Sequence, residues 1–225
     1  MVKKTTIGFC LTLAVLTACN AKDGVDATNI VDADTSYAFG VLMGSDLKPF
    51  GLNFDYKAFA EGFKAYFEGK SKLTEDEAIE IVQKTINASM EREAAENLEA
   101  GEEFLEENAL KNGIITTGSG LQYEIIKDAE GPKPNMDSTV RVNYEGTLID
   151  GRVFDSSFER GEPVEFPLGQ VIPGWTEGIQ LMSPGSRYKF YIPSALGYGD
   201  QSVGNGLIPA NSVLIFDVEL LDILD

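Results

Sequence analysis

Histidine is absent from the 225-residue chain, cysteine occurs only at positions 10 and 19, and Trp175 is the single tryptophan. Imidazole and thiolate are the usual groups that titrate or bind soft metals near neutral pH. Chemistry beyond residue 19 therefore works without either, and without a disulfide. Bases are scarce as well: 18 Lys and Arg stand against 36 Asp and Glu, a formal charge of −18. No basic stripe is present for nucleic acid or for anionic lipid headgroups. The glycine-rich stretch 197–206 lacks the Lys-Ser/Thr ending of a phosphate loop, and no nucleotide fingerprint or repeat occurs. Neither a metal nor a cofactor is expected.

What is present divides by position. Lys3 and Lys4 precede an apolar run over 7–16, too short to span a bilayer as a stable helix, so residues 1–18 read as an export signal. The run ends Leu16-Thr17-Ala18-Cys19, which resembles the lipobox of bacterial lipoproteins. That resemblance implies cleavage before Cys19 and a lipid on its sulfur; the alternative is an ordinary signal followed by a free cysteine. Asn20 is not the acidic residue associated with inner-membrane retention, so the expected location is the outer membrane, facing the periplasm, with surface exposure as the alternative. Polar residues 19–34 read as a flexible tether.

Residues 35–116 follow a helical pattern. Tyr37, Val41 and Met43 accompany Gly40 and Gly44, a small-residue step that gives weak evidence of close helix approach. Asp55 is placed to cap a helix carrying Phe59, Phe63, Tyr66 and Phe67 at helical spacing, a stripe better suited to core than to a ligand site. Thr74 and Glu77 form a capping box opening a third helix that runs toward Asn112-Gly113. Beyond Arg92 this helix turns glutamate-rich, which reads as a solvated rod with Gly101 as a bend. From Thr117 onward the pattern becomes strand and turn, with strands expected over 121–126, 139–144, 152–154, 186–192 and 212–221, and one short helix over 174–181. The expected class is α+β, an all-α segment followed by an antiparallel sheet curled around one short helix. Aromatic residues scattered from 144 to 216 suggest strands converging on one pocket.

Five blocks in order carry a resemblance: Val142-Asn143-Tyr144-Glu145-Gly146, Gly151-Arg152-Val153-Phe154-Asp155-Ser156-Ser157, Val171-Ile172-Pro173-Gly174-Trp175, Gly197-Tyr198-Gly199 and Leu214-Ile215-Phe216-Asp217-Val218-Glu219-Leu220. Over 117–225 the chain resembles FKBP-type peptidyl-prolyl cis-trans isomerases, whose sheet is a half-barrel. Ser36-Tyr37-Ala38-Phe39-Gly40 and the long acidic helix resemble the amino-terminal domain of the macrophage infectivity potentiator branch. The resemblance implies a homodimer through 35–112, proline-containing unfolded or partly folded polypeptides as substrates, and macrolides as inhibitors. It further implies a pocket of Tyr144, Phe154, Val171, Ile172, Trp175, Tyr198, Ile208 and Phe216, with Asp155 as the lone wall carboxylate and Arg160 beside it. The Ile172 N–H and Tyr198 hydroxyl would hold substrate carbonyls. Val164, also assigned to the substrate site, stands where the family commonly has an aromatic, and Val203-Gly204-Asn205 replaces a segment that often carries histidine.

Rotation about an X–Pro amide faces a barrier of ~18–20 kcal/mol. It breaks no covalent bond, so it needs no nucleophile, metal or strong base. A twisted amide is less dipolar than a planar one, and an apolar pocket favours it. Asp155 then serves as a structural and electrostatic wall; burial and its partners push its pKa in opposite directions. Competing readings are a holdase chaperone with a cleft between helical arms, and a surface binding or virulence module.

Overall fold

The computed structural model describes residues 31–204 and 206–224. The expected export signal, Cys19, residues 20–30 of the tether and Asn205 lie outside the described residues. No helix among the described residues is long and apolar enough to cross a membrane.

Three helices come first: α1 (Ala33–Leu47), α2 (Tyr56–Phe67) and α3 (Glu75–Ala109), with a 3-10 turn at Lys48–Phe50. The Asp55 carboxylate accepts from the N–H groups of Lys57 and Ala58, which starts α2. At α3 the Thr74 hydroxyl accepts from the Glu77 N–H while Glu77 accepts from the Thr74 N–H, so two of the free donors of the first turn are paired reciprocally. The ring stripe of α2 is not a core within this chain. Phe63, Tyr66 and Phe67 are 53, 55 and 75% exposed, and α2 buries no residue. Nor is the small-residue step a packed face: no atom lies within 4 Å of where a Cβ on Gly44 would sit.

The second half of α3 is no free rod. Ala94, Asn97, Gly101, Phe104 and Asn108 recur at intervals of three and four, so they share one face. That face lies on the sheet unit. Gly101 is buried, and a Cβ there would meet Val213 Cγ2 at 2.8 Å, so this glycine is the point of closest approach in an unbroken helix. Phe104 packs on Tyr191 with centroids 6.0 Å apart. The buried Asn108 amide donates to Gln122 Oε1 (2.9 Å), and the Gln122 amide donates to the Leu105 carbonyl (2.8 Å). Glutamates fill the rest of the turn and stay in water.

The strands are β1 (Ile114–Thr116), β2 (Gln122–Lys127), β3 (Thr139–Thr147), β4 (Val153–Ser156), β5 (Val164–Pro167), β6 (Arg187–Ile192) and β7 (Leu214–Leu224). All pairings are antiparallel, in the order β1-β2-β6-β7-β3-β4, with β5 also on β3. β1 precedes Thr117, so the strand region starts earlier than the sequence pattern indicates, and β5, four residues that follow Pro163 and end on Pro167, lies outside the expected strands. Along β3, Val140, Val142, Tyr144 and Gly146 are buried and alternate with half-exposed neighbours; along β7 the same holds for Leu214, Phe216, Val218 and Leu220. This period of two turns one face toward a common core.

Two helices interrupt the strands: a single turn, α4 (Ser157–Arg160), and α5 (Pro173–Ile179), which opens on Pro173 and covers the buried face. α5 lies on the sheet through two glycines. A Cβ on Gly174 would sit 2.5 Å from Ile192 Cγ2, and one on Gly178 2.6 Å from Phe190 Cε1. That close approach fixes Trp175, which follows Gly174 directly, against the sheet.

Candidate active site

The buried faces of β3 and β7 carry Tyr144 and Phe216, and Trp175 of α5 stands between them. Ring centroids lie 5.1 Å from Trp175 to Tyr144 and 5.1 Å to Phe216, with planes near perpendicular at 88° and 79°. Phe166 of β5 adds a third ring, 5.4 Å from Trp175 at 86°, and Phe154 of β4 meets Phe216 at 5.4 Å and 85°. Edge-to-face pairs of this kind contribute about 0.5–1.5 kcal/mol each beyond area burial. They also hold each ring by its neighbours, so the floor is rigid. Above it opens a cleft of about 450 Å³, whose walls include Asp155, Val171, Ile172, Tyr198, Val203, Leu207 and Ile208.

The residues expected at this site are brought together with two exceptions. Val164 packs against the core but does not line the cleft. The ring of that strand comes from Phe166, two residues on, which alternation places on the same face. Arg160 does not line the cleft either; it braces the wall from outside. Phe166, Gln170, Val203 and Leu207 line the cleft without having been assigned to it. The Val-Glu-Phe alternation at 164–166 signals Phe166. Leu207 sits in a glycine-rich segment with no period to reveal it. A two-residue bridge pins that segment: the Val203 N–H donates to the Ile208 carbonyl (2.9 Å) and the Ile208 N–H donates back (3.1 Å).

Asp155 is the one carboxylate lining the cleft among the described residues. It accepts hydrogen bonds from the Tyr144 hydroxyl and the Arg160 guanidinium, and Arg160 also donates to the Tyr144 oxygen at 2.9 Å. Arg160 reaches this position because Ser156 caps α4, Gly161 ends it in the left-handed conformation at φ 77°, and its guanidinium rests 5.6 Å from the Tyr144 ring centroid. The Ser157 hydroxyl accepts the Tyr144 N–H at 2.8 Å, tying the turn to β3. Burial pushes the Asp155 carboxyl up, but the hydrogen bonds from Tyr144 and Arg160 together outweigh it and hold the group below the ordinary aspartate range. The Tyr144 hydroxyl is pushed up to about 12, first by burial and then by its bond to Asp155, with Arg160 opposing. Tyr198 is raised too, by burial and by the Asp155 charge, so its hydroxyl stays a donor.

Two donors at the rim are free. Among the described residues neither the Ile172 N–H nor the Tyr198 hydroxyl makes a hydrogen bond. No pair of facing carboxylates, no activated nucleophile and no cluster of three metal-ligating side chains accompanies them among the described residues. The arrangement suits binding and reshaping a neutral, partly apolar group.

Two family models match the chain. Residues 131–221 match FKBP-type peptidyl-prolyl cis-trans isomerase, and residues 32–125 match the domain amino terminal to FKBP-type peptidyl-prolyl isomerase. The probable FKBP-type peptidyl-prolyl cis-trans isomerase FkpA of Neisseria meningitidis serogroup B is 48% identical over 199 residues, covering 84% of this chain and 73% of that protein. The outer membrane protein MIP of Legionella longbeachae is 39% identical over 219 residues, covering 94% and 93%. Among solved structures, the crystal structure of FkpA from Escherichia coli matches with a TM-score of 0.68 at 38% identity, covering 85% of this chain and 97% of that one.

Proposed function

The chain belongs to the FKBP-type peptidyl-prolyl cis-trans isomerase family and is an isomerase of prolyl peptide bonds, and from that premise we propose that the ring-lined cleft catalyses rotation by preferring the twisted amide. One observation carries this reading: Tyr144, Phe154, Phe166 and Phe216 surround the buried Trp175 with neighbouring ring centroids 5.1–6.1 Å apart, beside two unpaired donors. The prolyl ring rests on Trp175, between Tyr144, Phe166 and Phe216. In that surrounding the planar, more dipolar amide loses the solvation it has in water, while the twisted amide, with its weakened carbonyl dipole, loses less. The Ile172 N–H and Tyr198 hydroxyl receive the flanking carbonyls and favour a turn-like geometry already partly rotated. Every ~1.4 kcal/mol of such preference is a tenfold gain in rate. Asp155 and Arg160 hold the Tyr144 wall and take no proton.

The sign of the Asp155 shift makes this testable. Its folded value lies below the ordinary ~3.9, so the charge and the stabilisation it gives are fully present above that unfolded value and fade only as pH falls through the lowered one. Tyr144, at about 12, stays protonated. Turnover of a proline tetrapeptide by the full-length chain, followed by NMR exchange, is expected to give a kcat/KM that is constant from about pH 5 to 9 and abolished by saturating rapamycin. A titration with its inflection inside that window would replace this mechanism with acid–base chemistry. Uninhibited turnover under the drug would remove the cleft assignment.

Around this unit we assign residues 33–113 to a helical arm that makes a homodimer, with the sheet unit beginning at β1 after Gly113, where φ of +90° turns the chain from α3 into β1. Residues 19–32 tether the arm to a lipid on Cys19, two residues shorter than the expected 19–34 because α1 already starts at Ala33. The name of the Legionella relative and the Leu16-Thr17-Ala18-Cys19 run support an outer-membrane location facing the periplasm. Cys19→Ser should move the chain from the membrane fraction to the soluble periplasmic one; retention in the membrane would discard the anchor.

A further inference from the structure

The segment from Tyr198 to Asn211 has two lined faces. Val203, Leu207 and Ile208 face the ring-lined cleft. Ser202, Gly206, Pro209 and Ala210 face a second groove of about 460 Å³, whose opposite bank is Asp46, Phe50, Met90 and Glu93. The two sites are comparable in volume and share one wall. That wall is anchored to α3 on the groove side by a reciprocal pair of amides: Asn97 Nδ2 donates to the Ala210 carbonyl (3.0 Å), and Asn211 Nδ2 donates to the Ala94 carbonyl (3.1 Å). Asn211 adopts φ 59°, the left-handed conformation that asparagine tolerates, and its N–H closes the segment on the Gly199 carbonyl at 2.8 Å. Phe50 is held on the other bank, its carbonyl accepting from the Ser89 hydroxyl at 3.3 Å. The groove is thus a built feature between α3 and the active-site segment.

Its chemistry is mixed in a specific way. Phe50, Met90, Pro209 and Ala210 offer apolar surface, and methionine adapts to differing shapes. Asp46 and Glu93 stand at the same groove as exposed carboxylates, and neither is paired with a base among the described residues. We propose that this groove is a second polypeptide subsite that takes an apolar side chain next to a lysine or arginine, from the same unfolded chain whose prolyl bond occupies the cleft. Charge complementarity selects the basic flank, and the shared wall makes the two sites continuous for one extended strand. A spacer of about four to six residues, roughly 14–20 Å when extended, carries a peptide across a single loop. The proposal rests on the cleft being the prolyl site, and it adds a preference remote from proline that a short peptide cannot express.

The test uses the full-length chain and NMR exchange with three peptides: a proline tetrapeptide, the same unit extended by a spacer and a Leu-Lys segment, and its Leu-Glu isomer. The basic extension is expected to show a KM about fivefold below that of the acidic one, a difference that shrinks at 0.5 M salt. In the double variant Asp46→Lys, Glu93→Lys the preference should vanish or invert, while the tetrapeptide is turned over as by the parent. Equal KM values for the two extended peptides in the parent overturn the proposal. So does a shift from dimer to monomer in the double variant, since the groove would then belong to an interface between copies. Loss of tetrapeptide turnover in the parent would instead sink the cleft reading and leave the groove to be judged by direct peptide binding.

Discussion

Gly146→Val is expected to lower kcat/KM for a proline tetrapeptide by about 100-fold, with the fold retained. A Cβ at this position would lie 2.6 Å from two atoms of the Phe154 ring and 2.8 Å from the Phe216 ring. Neither ring can withdraw alone, because Phe154 and Phe216 pack on each other at 5.4 Å and Phe216 on Trp175 at 5.1 Å. Overpacking of this sort costs about 1–3 kcal/mol of stability, which lowers the melting temperature without unfolding a domain of this size. The effect on turnover is larger, since displacing a binding surface by roughly 1 Å is enough for a 100-fold loss. Gly146→Ala should fall between parent and valine. Parent-like turnover in the valine variant, with a lowered melting temperature, would show that ring spacing in the cleft does not set the rate.

The second large effect concerns the arm. Phe63→Glu with Phe67→Glu should convert the proposed full-length dimer into a monomer at tens of micromolar, as read by sedimentation. These rings lie together, 4.9 Å apart, and are 53 and 75% exposed on a helix that buries nothing. A stable interface removes about 800 Å² from each partner, and aromatic side chains bring 150–250 Å² apiece. With Phe59 and Tyr66 on the same helix, the stripe has the material for such a contact. Burying two unpaired carboxylates there costs several kcal/mol each, hence a rise in Kd of at least about 100-fold. A parent chain that sediments as a monomer would remove the dimer assignment and leave the stripe for another partner.

Alternation made the long strands legible. β3, and β7 as far as Leu220, place a buried residue at every second position, and that signal is carried by the order of the residues. The cleft was legible through the family blocks because its rings sit inside them. Phe166 carries only a local cue: its strand follows Pro163 and ends on Pro167, so the Val-Glu-Phe step is brief, and it lies outside the family blocks. The packing of the second half of α3 is hidden in the sequence for a chemical reason. Its packed face at 94, 97, 101, 104 and 108 is made of alanine, asparagine, glycine and one phenylalanine, which hydropathy counts as weak. Contact there depends on close backbone approach and amide hydrogen bonds, and neither raises a hydrophobic signal. The α2 stripe shows the converse. Helical spacing of rings announces that something must cover them, and it does not say whether the cover comes from the same chain.

The central position of β7 has a consequence for biogenesis. Residues 214–224 pair with β3 on one side and β6 on the other, yet every other strand precedes them in the chain. Until that stretch has been synthesised, β3 and β6 each present an unzipped border of peptide groups. The nascent polypeptide must be kept from sticking to its neighbours throughout this interval, and zippering then begins from distant contacts, a slow route to the finished sheet. A prolyl isomerase is thereby a demanding client during its own folding.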